Sequence, residues 1–170
     1  MTATSLLPGF IEVDEALEFL YIAIRDPHNR FSVKEAIRRV RSIFDSAGEE
    51  VRYKIVTDLT AMKSASVVPF LTYVLRNDES SLIRHEAAFG IGNLGGLGNS
   101  GPLIDALKHD ASAIVRHESA IALAEIGSTD AIPALESVTK DLDPDVAASA
   151  RFAIQSILLY IHQGLRVANA

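Results

Sequence analysis

Aligning the chain with itself produces a register of about 32 residues, and no local motif restricts the fold as strongly. "VRYKIVTDLTAM" begins at Val51, "IRHEAAFGIGNL" at Ile83, "VRHESAIALAEI" at Val115 and a weaker copy, "VAASARFAIQSI", at Val146, giving spacings of 32, 32 and 31 residues. A second element recurs between these copies in "VVPFLTYVLRND", "SGPLIDALKHD" and "AIPALESVTKD", marked by Pro69, Pro102 and Pro133. Proline is tolerated in a helix's first turn, where its missing N–H has no intrahelical partner. Each unit therefore reads as two helices, with Asp78, Asp110 and Asp141 near the close of the first. In the second, Val115, Ala120, Leu123 and Ile126 recur at helical spacing, and Gly127 follows where a left-handed cap belongs. Upstream, Ile11 to Arg25 and Ser32 to Ser46 read as amphipathic helices broken by Asp26-Pro27-His28-Asn29.

A pair of helices this short cannot bury a core alone, so neighbouring units must stack. The expected fold is all-α: a short right-handed α-solenoid of HEAT-like helix pairs with about nine helices and atypical capping helices at both ends. The expected organisation is a single domain over residues 1–170, with N-terminal capping helices in 1–48, repeats in 49–162 and a tail in 163–170. At 48% apolar residues the chain has ample material for such a core.

Sixteen basic against 22 acidic residues give a net charge of −6, and no basic run offers the patch that nucleic acid requires. Cysteine is absent, which removes disulfides and thiolate chemistry and leaves nitrogen and oxygen as the available metal donors. The N-terminus lacks a basic leader region, and the apolar stretch from Phe152 to Ile161 is about half of the ~20 residues a membrane span needs. A soluble, cytoplasmic protein is expected, without nucleic acid or membrane as partner.

"LIRHEAAFGIGNLGG", residues 82–96, holds two competing motifs. Gly90, Gly92 and Gly95 spell the G-x-G-x-x-G of a dinucleotide-binding turn, but that turn needs a strand before it and a helix after it. Here the glycines fall inside and at the end of a helix. In the next repeat Gly90 and Gly92 are replaced by Ala122 and Ala124, and only Gly95 finds a glycine, Gly127. Close helix approach explains Gly90 and Gly92, and Gly95-Gly96-Leu97-Gly98 reads as a turn.

The alignment preserves Arg-His-Glu instead: Arg84-His85-Glu86 and Arg116-His117-Glu118 occupy identical phases. Stacked helices lie ~8–10 Å apart, a gap that facing imidazoles can bridge with a metal between them. Imidazole with carboxylate suits iron, manganese or zinc. His85, Glu86, His117 and Glu118 are therefore the candidate metal ligands, and a second copy of the chain would complete a two-metal site with two-fold symmetry. A glutamate in a helix's first turn and duplicated surface residues also arise without any metal. Against that reading, the outer copies carry Tyr53-Lys54 and Ala148-Ser149, so duplication alone did not keep the pair.

"SSLIRHEAAFGIGNL" with "AIVRHESAIALAEIGSTDAIPALESVTKDLDPDVAASARFAIQSI" resembles one half of the deoxyhypusine hydroxylase family, di-iron monooxygenases built of HEAT repeats. The likeness runs from about Val51 to about Ile161 and includes the Asp143-Pro144-Asp145-Val146 step before the last helix. It implies that His85, Glu86, His117 and Glu118 match iron ligands or their carboxylate partners, with two irons per dimer and dioxygen as cofactors. Because a second half is missing, it also implies a homodimer or loss of the metal. Ile121 and Ala124 stand where the family usually has an acidic residue and a glycine, and the same repeats build metal-free relatives such as phycobilin lyase subunits.

Three functions follow: an iron-dependent hydroxylase, a non-catalytic dioxygen binder, or a metal-free interaction scaffold. The acidic balance favours a protein or cationic amine substrate for the first. His28, His109 and His162 read as surface histidines, and Lys34, Arg38, Arg39 and Arg41 as a solvated basic face. Tyr53, aligned with the two histidines, reads as a packing residue or a hydrogen-bond donor to the site. No serine sits on the turn that Ser-His-Asp catalysis would need.

Overall fold

In a computed structural model of the chain, residues 8–25, 32–96 and 99–168 are described. They form nine α-helices and no strand: α1 (Pro8–Arg25), α2 (Val33–Ser46), α3 (Glu49–Ala61), α4 (Val68–Asn77), α5 (Ser81–Leu94), α6 (Ser100–His109), α7 (Ala113–Ile126), α8 (Ile132–Ser137) and α9 (Pro144–Ala168). The all-α expectation holds. The Asp26-to-Asn29 break, His28 included, and Leu97-Gly98 lie outside the described residues.

Helices α3, α5, α7 and α9 form one layer, each packed on the next, while α4, α6 and α8 form the other. At the N-terminal end α1 packs on both α2 and α3 and closes the stack. The core lies between the layers, where Leu59, Leu71, Ile83, Ile91, Leu107, Leu123 and Leu135 are fully buried. Each repeat supplies the same few positions, so burial is continuous along the stack although no single pair is hydrophobic enough to stand alone.

Local chemistry sets the helix ends. Ser32 caps α2 by accepting the amide of Glu35 at 3.1 Å. Pro69, Pro102 and Pro133 all fall in the first turn of α4, α6 and α8. Gly127 adopts φ +69°, and the Ser128 amide donates to the Leu123 carbonyl, a Schellman closure of α7. The aligned Gly95 ends α5 at φ −81°, so the two copies do not share one cap.

Two elements depart from the repeat. α8 stops at Ser137, where α4 and α6 have ten residues each. The Ser137 and Thr139 hydroxyls donate to the carbonyls of Ala134 and Glu136, and Val138 and Thr139 are weak helix formers, so the last turn is lost. α9 runs on past residue 162, where a tail was expected to begin, to Ala168. No helix among the described residues is long and apolar enough to cross a membrane.

The two interior glycines are spacing devices, not phosphate ligands. Gly90 faces Thr60 and Leu71, and a Cβ built on Gly92 would lie 2.8 Å from Ala122 Cβ and 3.0 Å from its Cα. Since Ala122 has no flexible end to move, α5 would have to shift from α7. Gly92→Ala is therefore expected to destabilise by about 1–3 kcal/mol, the usual cost of overpacking, read as a lower urea midpoint with unchanged helicity.

Candidate metal centre

The helices that carry the His-Glu steps are held at their N-terminal ends by a ladder of arginine and aspartate. Arg84 Nε and Nη2 bind the Asp110 carboxylate at 2.8 and 2.9 Å, while Nη1 donates to the carbonyls of Asp78 and Glu79. Arg116 repeats this with Asp141 at 2.9 Å for both bonds and with the Asp110 carbonyl. Arg52 does so with Asp78. Each aspartate also accepts the amide two residues on, from Ser80, Ser112 or Asp143. The arginine of Arg-His-Glu thus points to the helix ends, away from the histidine, and clamps its own helix to both flanking outer helices.

With that register fixed, consecutive repeats bring three of the four candidate ligands together. His85 Nε2 lies 3.3 Å from Glu118 Oε2, and His85 Nδ1 lies 3.4 Å from Glu86 Oε1. The second contact lacks hydrogen-bond geometry, so Nδ1 is buried without a partner. The Glu118 side chain is 10% exposed and that of Glu86 20%. Burial pushes the Glu118 carboxyl above its ordinary range, and Glu125 and Glu86 push it further, while His85 and His117 oppose them.

The fourth, His117, is turned to the next repeat, where its Nδ1 meets the Ser149 hydroxyl at 2.8 Å. Ser149 occupies the phase of Glu118 one repeat later, so the same geometric relation recurs: a histidine reaches forward to the residue at the glutamate position of the following helix. At the other end, the glutamate phase is filled by Lys54, which pairs with Asp14 and Asp58 and closes the row with a cation. Sequence reading did not assign Ser149 a role; the signal available was its alignment with Glu118.

The donor set fits a metal chemically. It offers two imidazoles and two carboxylates, all nitrogen or oxygen, with one buried imidazole nitrogen, His85 Nδ1, uncommitted and the buried Glu118 carboxylate 3.3 Å from the other nitrogen of that ring. Among the described residues, however, no group of three or more such side chains is arranged to hold a metal ion.

A family model of HEAT repeats matches residues 69–155, just over half of the chain. The chain belongs to the HEAT-repeat family. No curated protein matches it. Among solved structures it is similar to human deoxyhypusine hydroxylase in complex with glycerol, at 22% identity and a TM-score of 0.56, over 88% of this chain and 64% of that one. This HEAT-repeat chain therefore spans less than two thirds of the length of that protein, and at this identity the likeness establishes a shared fold. It bears out the resemblance in architecture that the repeats carry.

The remaining candidates stand apart from the steps. His109 is exposed at the end of α6 and His162 on α9. Lys34, Arg38 and Arg39 are exposed on α2, with Arg38 bound to Glu35 and Arg41 stacked over Tyr73. Tyr53 is 36% exposed on α3. The Ser149–His117 contact is no nucleophile elbow, because the hydroxyl is buried in the body of α9.

Proposed function

We propose that two copies of this chain hold two iron ions between their His-Glu steps, forming a dioxygen-dependent hydroxylase of the kind the deoxyhypusine hydroxylase likeness suggests. The observation that carries the reading is the convergence of His85 and Glu118 from consecutive repeats, with the His85 Nδ1 buried and uncommitted. An uncommitted buried nitrogen costs free energy unless something binds it, and a cation there would also relieve the crowding of Glu86, Glu118 and Glu125. His85, Glu86, His117 and Glu118 would be the ligands. Iron so bound would supply dioxygen activation.

The protein's own residues supply the rest. Ser149 orients the His117 ring through Nδ1, as groups behind a metal-bound histidine commonly do. The burial of Glu118 keeps bulk water from the carboxylate. The 64% coverage of the larger solved chain supports a two-chain site. Two chains carry a net charge of −12, from −6 each, which favours a protein or cationic amine substrate.

Iron analysis of the purified protein tests the reading: about two irons per pair of chains are expected, on the logic that a preformed donor set binds metal stoichiometrically. A metal-free protein that stays metal-free when iron(II) is added ends the reading and leaves a HEAT-repeat scaffold. Product formation on exposing the reduced protein to dioxygen separates a hydroxylase from a protein that only binds the gas.

A further inference from the structure

We infer that exogenous ligands reach the proposed metal centre through the cavity beside His117, and that its walls admit small uncharged ligands and turn anions away. This deepens the proposed function, rests on the metal reading, and makes the two His-Glu steps unequal.

The cavity measures about 240 Å³ and is lined by Ala113, Ile114, His117, Asp143 and Asp145, which places it between the N-terminal ends of α7 and α9. Helix side chains lean toward the N-terminus of their own helix, and this carries the His117 ring over the cleft. The contact of its Nδ1 with Ser149 on α9 holds it there as a roof. With Nδ1 engaged, Nε2 is the nitrogen that remains for a metal. At His85, by contrast, Nδ1 is buried and Nε2 lies against Glu118. A metal held by His117 has open space beside it, whereas one held by His85 is walled in by Glu86 and Glu118.

The lining sets the selectivity. The volume is below the roughly 300–1,000 Å³ of pockets that enclose drug-sized molecules, so the cavity suits a ligand of a few atoms. Ala113 and Ile114 give it an apolar wall. Asp143 is committed to the fold, since its Oδ1 accepts the amides of Asp145 and Val146 at the start of α9. Asp145, exposed in the first turn of α9, adds a second negative charge to the other wall. Its phase is filled by Ile114 in α7 and by Leu82 in α5, so this carboxylate is peculiar to the His117 side of the row. Two carboxylates at the mouth repel an incoming anion and leave a neutral ligand unhindered.

Nitric oxide and azide, one neutral and one anionic, are the probes. Both are titrated optically against the full-length iron-loaded protein, nitric oxide on the reduced form and azide on the oxidised one. Ile114→Trp, which fills the cavity from an exposed position, is expected to weaken nitric oxide binding by about tenfold, the equivalent of a mild steric clash. Leu82→Trp, the same change at the same phase beside His85, should leave it at the wild-type value. Asp145→Asn should raise azide affinity by about threefold and Asp145→Lys by about tenfold, both gains shrinking in high salt, with nitric oxide binding unchanged. Circular dichroism and iron content at wild-type values show that each variant folds and loads; if Ile114→Trp alone does not, the Asp145 variants decide. Nitric oxide binding that Ile114→Trp leaves intact or that Leu82→Trp weakens equally, or azide affinity indifferent to Asp145→Lys, would overturn the inference. Iron analysis keeps the two proposals distinguishable. A protein that takes up no iron sinks the metal reading and this inference with it, while a loaded protein that fails these comparisons sinks this inference alone.

Discussion

Arg84→Ala should lower the free energy of unfolding by about 3 kcal/mol, the low end of the range for breaking a buried ion pair. The low end applies because the guanidinium retains 14% exposure while Asp110 retains 8%. The loss has three parts: two bonds to Asp110, the bonds to the Asp78 and Glu79 carbonyls, and a carboxylate left without its counter-charge. For a chain of this size that is a drop of roughly 6–12 °C in the thermal midpoint. If the unpaired carboxylate dominates, Arg84→Met/Asp110→Leu should recover most of the loss, since it removes both partners. Urea unfolding of the wild type, Arg84→Met, Asp110→Leu and the double variant measures the coupling directly; an Arg84→Ala midpoint equal to the wild type's would show the ladder to be ornamental.

The same ladder sets the acid limit of the fold. Burial pushes the Asp110 carboxyl up, but the Arg84 guanidinium, the Ser112 amide and the charge of Arg116 outweigh it, so the folded value is depressed. For Asp141 the bonds from Arg116 outweigh burial in the same direction. A carboxyl depressed in the folded state contributes stability that is present above its ordinary value of 3.8 and is lost as pH falls through the folded value. Wild-type stability should fall steeply below about pH 4. Asp141→Asn should flatten that fall, because one of the two titrating sites is gone.

The repeat made the architecture legible before any coordinate. Helical spacing, the first-turn prolines and Gly127 are local signals that agree with the stack, and local signals of that kind survive into the fold. α8 escaped the reading because its shortening comes from competition between the Ser137 and Thr139 hydroxyls and the helix's own amides, which periodicity does not register. The site was half legible. Alignment isolated Arg-His-Glu as a unit, yet the arginine serves the helix ends and the His-Glu pair faces the other way, because neighbouring residues on a helix point ~100° apart. The partner aspartates were visible at Asp78, Asp110 and Asp141, but their pairing needs three-dimensional register. Ser149 was hidden for the opposite reason: it looked like the point where the motif fails, although its hydroxyl meets the His117 ring from the phase that Glu118 occupies one repeat earlier.

That asymmetry leads to the second large effect. If the four donors hold iron, His85→Ala should abolish stoichiometric binding, since it removes the imidazole to which both Glu86 and Glu118 are turned. Ser149→Ala removes no donor, yet it frees the His117 ring to rotate and should weaken iron(II) or zinc affinity by about 10–100-fold, the cost of losing a group behind a metal-bound histidine. Ser149→Thr keeps the hydroxyl and should restore most of the affinity. A merely structural serine would show a different pattern, with Ser149→Ala lowering the urea midpoint and leaving the affinity of the folded protein alone. Calorimetric titration of the three variants with metal, beside urea unfolding of the metal-free forms, separates these outcomes. Loss of binding in His85→Ala with wild-type affinity in Ser149→Ala would remove His117 from the ligand set and leave Glu86, His85 and Glu118 as the donors each chain contributes.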